Sequence, residues 1–170
     1  MKKPLAIRPI HIVIVITLCT IGFYILQSGN AENFIAVDRI IDGDTFESSD
    51  NIVYRLVGID TPERGEFGYN EAGKYLASTI IRNCRDAYGE YNQYSPLTRH
   101  VDVNTTGKGR YGRTLAYVSC NKKSINEIMI KDGYALSYRK YPHKYTNRYN
   151  ELEAEAKRYN KGLWKHWNQF

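Results

Sequence analysis

FIAVDRIIDGDTFESSDNIVYRLVGID, residues 34–60, reads as a run of short strands separated by tight turns. Phe34 to Ile41 is rich in β-forming residues, and Asp42-Gly43-Asp44 follows with strong turn chemistry. Thr45 to Glu47 resumes extended structure, and Ser48-Ser49-Asp50-Asn51 turns the chain back. Ile52 to Ile59 is a further β-rich run that ends at Asp60, where Thr61-Pro62 bars its continuation.

Downstream, Asn70 to Arg82 is expected to be a helix, because Ala72, Leu76 and Ile80 recur every four residues. Residues 85–99 are polar and irregular and read as a surface insertion. Val101 to Val103 is expected to be a short strand, Thr105 to Gly112 a mobile glycine-containing loop, and Thr114 to Cys120 another strand. Ser124 and Glu127 form a capping box for a helix that runs to Asp132 and stops at Gly133. Asn147 to Asn160 is the last helix, expected to end at Gly162, with Leu163-Trp164 folding back onto the body. Short strands with a helix inserted after the third predict an α+β fold. Its expected form is a five-stranded barrel of the OB type with about three helices, whose strand face and loops bind nucleic acid.

The 170 residues suit one domain, and 42% apolar with 25% charged content excludes a disordered chain. Ahead of the strands, Lys2, Lys3 and Arg8 precede an apolar run from Ile10 to Leu26. As a helix it would span ~25 Å, close to a bilayer core. Residues 1–27 are therefore expected to be an N-terminal hydrophobic helix, read as a membrane anchor in preference to a cleaved signal peptide. Residues 28–33 are a linker and 34–168 the folded domain. The basic residues before the run place the domain outside the cytoplasm, anchored to the membrane or secreted. The net charge of +6 becomes +3 without the leader, which permits a phosphate-bearing partner without demanding one.

Asp44 and Asp60 end successive β segments. Two carboxylates held close together would suit a hard divalent cation, Ca²⁺ or Mg²⁺ in preference to zinc. Each alone is an ordinary turn acid. Arg55 alternates with apolar neighbours in a strand, Glu63 follows the stiff Thr61-Pro62, and Arg113 follows Tyr111-Gly112. Together they suit phosphodiester hydrolysis, with a base for water and forked guanidinium donors for phosphate oxygens. Gly107-Lys108-Gly109 lacks P-loop spacing. His11, His100, His143 and His166 show no ligand spacing; the last three are expected at the surface.

Three blocks, Ile41-Asp42-Gly43-Asp44-Thr45, Tyr54 through Glu63, and Tyr111-Gly112-Arg113-Thr114-Leu115-Ala116-Tyr117, resemble the signatures of the staphylococcal nuclease family. Asn126-Glu127, Gly133-Tyr134-Ala135 and Gly162-Leu163-Trp164 are also similar, so the likeness runs from about Phe34 to Trp164. It implies an OB-fold barrel and Ca²⁺-dependent cleavage of DNA and RNA, leaving 3′-phosphates. By position it implies Asp44, Asp60 and the Thr61 main-chain carbonyl as Ca²⁺ ligands. It implies Glu63 as general base, Arg55 and Arg113 as phosphate-binding arginines, and Arg110, Tyr111 and Tyr138 as substrate contacts. The pattern departs at Gly109, where the family often carries an acid, and in the short loop between Glu63 and the first helix. In such a fold Cys84 and Cys120 would lie close and a disulfide is expected, two buried thiols being the alternative. A monomer is expected. The competing reading is a catalytically silent OB module that only binds nucleic acid or protein; filled acid and arginine positions favour the enzyme.

Overall fold

The computed structural model describes residues 34–86 and 99–167. The leader, the linker and most of the 85–99 insertion lie outside the described residues. The barrel begins with β1 (Phe34–Ile40), β2 (Thr45–Ser48) and β3 (Val53–Leu56), joined as antiparallel hairpins. β4 (Ile59–Asp60) follows, then helix α1 (Tyr69–Asn83) and β5 (Arg85–Asp86). Next come β6 (Arg99–Lys108), a 3₁₀ turn at Arg110–Gly112, and β7 (Thr114–Cys120). β8 (Lys123–Ser124), α2 (Ile125–Lys131), β9 (Leu136–Ser137), α3 (Thr146–Arg158) and α4 (Trp164–Trp167) complete the order.

β6 pairs with β1 on one side and β7 on the other, and β7 lies parallel to β3. This closes a five-stranded β1-β2-β3-β7-β6 barrel with no free edge inside it. The α+β barrel architecture read from the sequence is therefore present. The helices number three longer ones and the four-residue α4 among the described residues.

Alternation fills the barrel. Along β7 every second residue is buried, and Val37, Phe46, Leu56, Val101, Ala116 and Val118 are at most 1% exposed. α1 closes the core with Leu76 and Ile80, α2 with Ile125, Met129 and Ile130, and α3 with Tyr149 and Leu152. The Ser124 hydroxyl accepts the Glu127 N–H at 3.2 Å, which caps α2. Cys84, just after α1, and Cys120, at the end of β7, form a disulfide with Cα atoms 4.9 Å apart.

Several sequence expectations are corrected. The β run from Ile52 to Ile59 is broken at Val57-Gly58, because Gly58 takes a left-handed turn between β3 and β4. The strand around Val101 runs ten residues, from Arg99 to Lys108, so the first half of the expected 105–112 loop is strand. Pairing with β7 supplies the hydrogen bonds that its polar side chains did not signal. α3 ends at Arg158, two residues before the expected Asn160, and the left-handed residue that terminates it is Asn160 (φ 49°) in place of Gly162, with Lys161 N–H reaching back to the Ala156 carbonyl at 2.9 Å. Gly162 serves another purpose: its backbone presses on that of Asp132 and Gly133, where a Cβ would collide. That contact seats Leu163 and Trp164 in the body, as expected, at 3% and 8% exposure.

Candidate functional site

The turn at 42–44 is built to hold Asp44 inward. The Asp42 carboxylate accepts the Asp44 N–H at 2.9 Å, an Asx turn, and Leu56 N–H donates to the Asp44 carbonyl at 2.8 Å. Gly43 allows the turn to sit against Thr61 and α1. A Cβ there would lie 2.6 Å from that of Ala72 and 2.9 Å from that of Thr61. Asp44 and Thr61 are thus both buried, at 5% and 7% exposure, behind the surface that carries Asp60.

Arg55 organises these acids. Its Nη2 donates to Asp44 Oδ2 at 2.9 Å and Asp60 Oδ1 at 3.2 Å, while Nη1 donates to the carbonyls of Leu56 and Ile59 at 3.2 and 3.1 Å. The Thr45 hydroxyl donates to Asp44 Oδ1 at 2.8 Å. Burial pushes the Asp44 carboxyl up to about 7; Arg55 opposes the rise, and Asp42 and Asp60 add to it. Burial also raises Asp60, with Arg55 opposing and Glu66 adding. Two acids share one guanidinium, so the cluster is under-neutralised.

In front lies a cleft of about 930 Å³, lined by Arg55, Asp60, Glu63, Arg110, Tyr111, Arg113 and Tyr138 among others. The structure therefore gathers seven of the residues singled out in the sequence around one opening, with Asp44 and Thr61 behind it. Glu63 is exposed and its N–H is held by the Glu66 carboxylate at 2.8 Å. Arg113 has a buried Nε with no acceptor among the described residues. Tyr111 is 85% exposed in a left-handed conformation (φ 62°), uncommon for an aromatic residue. The Tyr138 ring lies 5.6 Å from the Arg55 guanidinium, and its N–H donates to the Gly58 carbonyl at 2.9 Å.

Some participants escaped the sequence reading. Lys108, Lys140, Tyr141 and His143 also line the cleft. His143, expected at the surface, is half-buried. Its ring packs on Gly58, and Nδ1 accepts the Tyr145 N–H at 3.3 Å and lies 3.2 Å from the Tyr117 hydroxyl. Burial lowers its pKa. Local sequence does not show that His143 reaches the cleft, because the contacts that draw its ring inward come from Tyr117 on β7 and Gly58 in the β3–β4 turn.

A cleft that joins a half-buried aspartate backed by a buried one, forked cationic donors and an exposed glutamate suits hydrolysis of a phosphate ester. Comparison with known proteins agrees. The profile of the family described as "Staphylococcal nuclease homologue" matches residues 53–166. An uncharacterized endonuclease of Haemophilus influenzae is 30% identical over 156 residues, covering 89% of this chain and 78% of that protein. A micrococcal nuclease of Shigella flexneri is 32% identical, with 75% and 71% covered. A thermonuclease of Staphylococcus hyicus is 30% identical, with 82% and 79% covered. With the profile spanning most of the closed barrel and the cleft, the chain belongs to the staphylococcal nuclease family, a family of nuclease hydrolases.

Proposed function

We propose that this chain is a Ca²⁺-dependent nuclease that hydrolyses phosphodiester bonds in DNA and RNA, acting as a monomer outside the cytoplasm. The observation that carries the reading is the single cleft on which Arg55, Asp60, Glu63 and Arg113 converge, with Asp44 buried behind it. The carboxylates of Asp44 and Asp60 and the main-chain carbonyl of Thr61 would hold the cation. These are hard oxygen donors, and the upward pull on both acids is what a divalent cation would relieve. Among the described residues no three His, Cys, Asp or Glu side chains form a metal cluster.

Bound Ca²⁺ would neutralise phosphate charge and bring water and phosphate together. Glu63 takes the proton from the attacking water at a carboxylate oxygen; the water oxygen bonds to phosphorus as the bond to the 5′ oxygen breaks, and that oxygen leaves as an alcohol on taking a proton from solvent. Arg113, which lines the cleft, holds non-bridging phosphate oxygens and stabilises the charge that grows on them. Arg55 adds positive charge from behind and keeps the two acids in place. Arg110 lies beside the phosphate path, and Tyr111 and Tyr138 offer ring faces to bases.

The proposed location rests on the basic, then apolar, leader, and the disulfide suits an oxidising compartment. The leader would either anchor the enzyme in the membrane or be cleaved. Protein lacking residues 1–27 is expected to cut denatured DNA and RNA in millimolar Ca²⁺, to leave 3′-phosphates, and to stop in chelator. Folded protein that cuts neither substrate in Ca²⁺ would sink the enzyme reading. Fractionation should place the full chain in membranes or outside the cytoplasm; recovery of uncleaved chain in the soluble cytoplasm would refute the proposed location.

A further inference from the structure

β4 carries Asp60 and β9 leads directly into Tyr138, yet their ladder is only two residues long, with Ile59 opposite Ser137 and Asp60 opposite Leu136. So short a pair is weak by itself. Its outer edge is held by helix α3. Glu153 is 8% exposed, and one carboxylate oxygen accepts both the Ser137 N–H at 2.9 Å and Arg139 Nη2 at 2.8 Å. Arg139 Nη1 donates back to the Ser137 carbonyl at 3.4 Å. Asn150, nearly one turn earlier on α3, accepts the Ser137 hydroxyl at 2.8 Å. A carboxylate is costly to bury unless its oxygens are paired, and here the pairing goes to the strand that flanks the site.

We propose that Glu153 is a positioning residue for the nuclease site, locking β9 so that Asp60, Arg55 and Tyr138 keep their places. It touches none of the cleft itself. Its effect passes through three links. β9 pairs with the strand that bears Asp60. The Ile59 carbonyl on that strand accepts from Arg55 Nη1. Tyr138, the residue after β9, donates to Gly58 and lies over Arg55. A shift of β9 would therefore move a cation ligand, a guanidinium and a ring together, and reacting groups tolerate little misplacement. The inference rests on the reading of Asp60 and Arg55 as parts of the site.

The test compares full-length, detergent-purified Glu153→Ala, Glu153→Asp and Glu153→Gln with wild type and with Asp60→Asn. It measures kcat and KM on denatured DNA in Ca²⁺, cation affinity by Tb³⁺ luminescence without substrate, and Tm. Glu153→Ala should lower kcat about tenfold and weaken Tb³⁺ binding severalfold at temperatures well below its Tm. Glu153→Gln should recover most of both, because an amide oxygen still accepts the Ser137 N–H. Glu153→Asp, which withdraws the oxygen by one methylene while keeping the charge, should fall between them. It also keeps the test decisive if the alanine variant does not fold. A lower Tm with wild-type kcat and Tb³⁺ affinity in the Ala or Asp variant would reduce Glu153 to a structural role. Glutamine as impaired as alanine would break the proposed hydrogen-bond route. Full activity in Asp60→Asn would instead refute the site reading on which the inference stands.

Discussion

Two arginines reach the same cleft and are held in opposite ways. Arg55 spends its Nη1 on two main-chain carbonyls and its Nη2 on two carboxylates. Arg113 follows the 3₁₀ turn at the start of β7 and keeps a buried Nε without an acceptor among the described residues. The difference teaches a division of labour. The inner arginine is held between a pair of acids and two carbonyls, and in the proposed reaction its charge would act on the phosphate from that fixed position. The rim arginine lines the cleft with no such partners among the described residues, and the proposed reaction gives it the substrate phosphate.

Replacing the inner arginine should have the largest effect, because it touches both stability and chemistry. Arg55→Ala is expected to lose on the order of 10²–10³ in kcat/KM. It should also lose about 3 kcal/mol of stability in chelator, since Asp44 would be left buried without its cation. Ca²⁺ should restore much of that stability, seen as a rise in Tm. A Tm equal to wild type in chelator would break the comparison from the inner side. Arg113→Ala should lose a similar ~10²–10³ in rate while its unfolding free energy from urea denaturation stays within about 0.5 kcal/mol of wild type. A large loss of stability would show that the rim arginine supports the fold too.

Protons sharpen the contrast further. With the Asp44 pKa raised to about 7 against an ordinary 3.8, the folded chain binds a proton that the unfolded chain releases. In chelator, the stabilising contribution of that proton is complete below about pH 4 and is lost as pH rises through 7. A bound cation would act against this loss. The cation concentration for half-maximal activity should therefore rise by up to about tenfold per pH unit below 7. A half-saturation point flat between pH 5.5 and 7 would remove Asp44 as a ligand. The smallest effect belongs to the outermost residue. Tyr111→Ala should raise KM about fivefold, or ~1 kcal/mol, and leave kcat unchanged; an unchanged KM would leave its exposed ring without a substrate role.

Much of this was legible along the chain because it depends on near neighbours. The Asx turn at Asp42, the cap at Ser124 and the stop at Gly133 each involve residues within a few positions, so residue type alone predicts them. Glu153 left a weaker trace. It falls on the apolar face with Tyr149, Leu152 and Ala156, where an acid needs a buried partner, but sequence does not say that the partner is Ser137. The extension of β6 left no trace, because Asn104 to Lys108 are polar and exposed and are held by main-chain pairing with β7.

By itself, then, the sequence determined the order of the five barrel strands and the three longer helices, the turns at 42–44 and 48–51, and the set of acids and arginines in its three blocks. Periodicity and turn chemistry are local properties, and they survive without a fold. Only the tertiary structure decided that β3 runs parallel to β7, that β6 closes the barrel, and that Asp44 and Asp60 share one guanidinium. It also decided that a glutamate on the last long helix holds the strand beside Asp60. Those pairings join segments distant in the chain, and they arise from burial and from the need of every buried polar group for a partner.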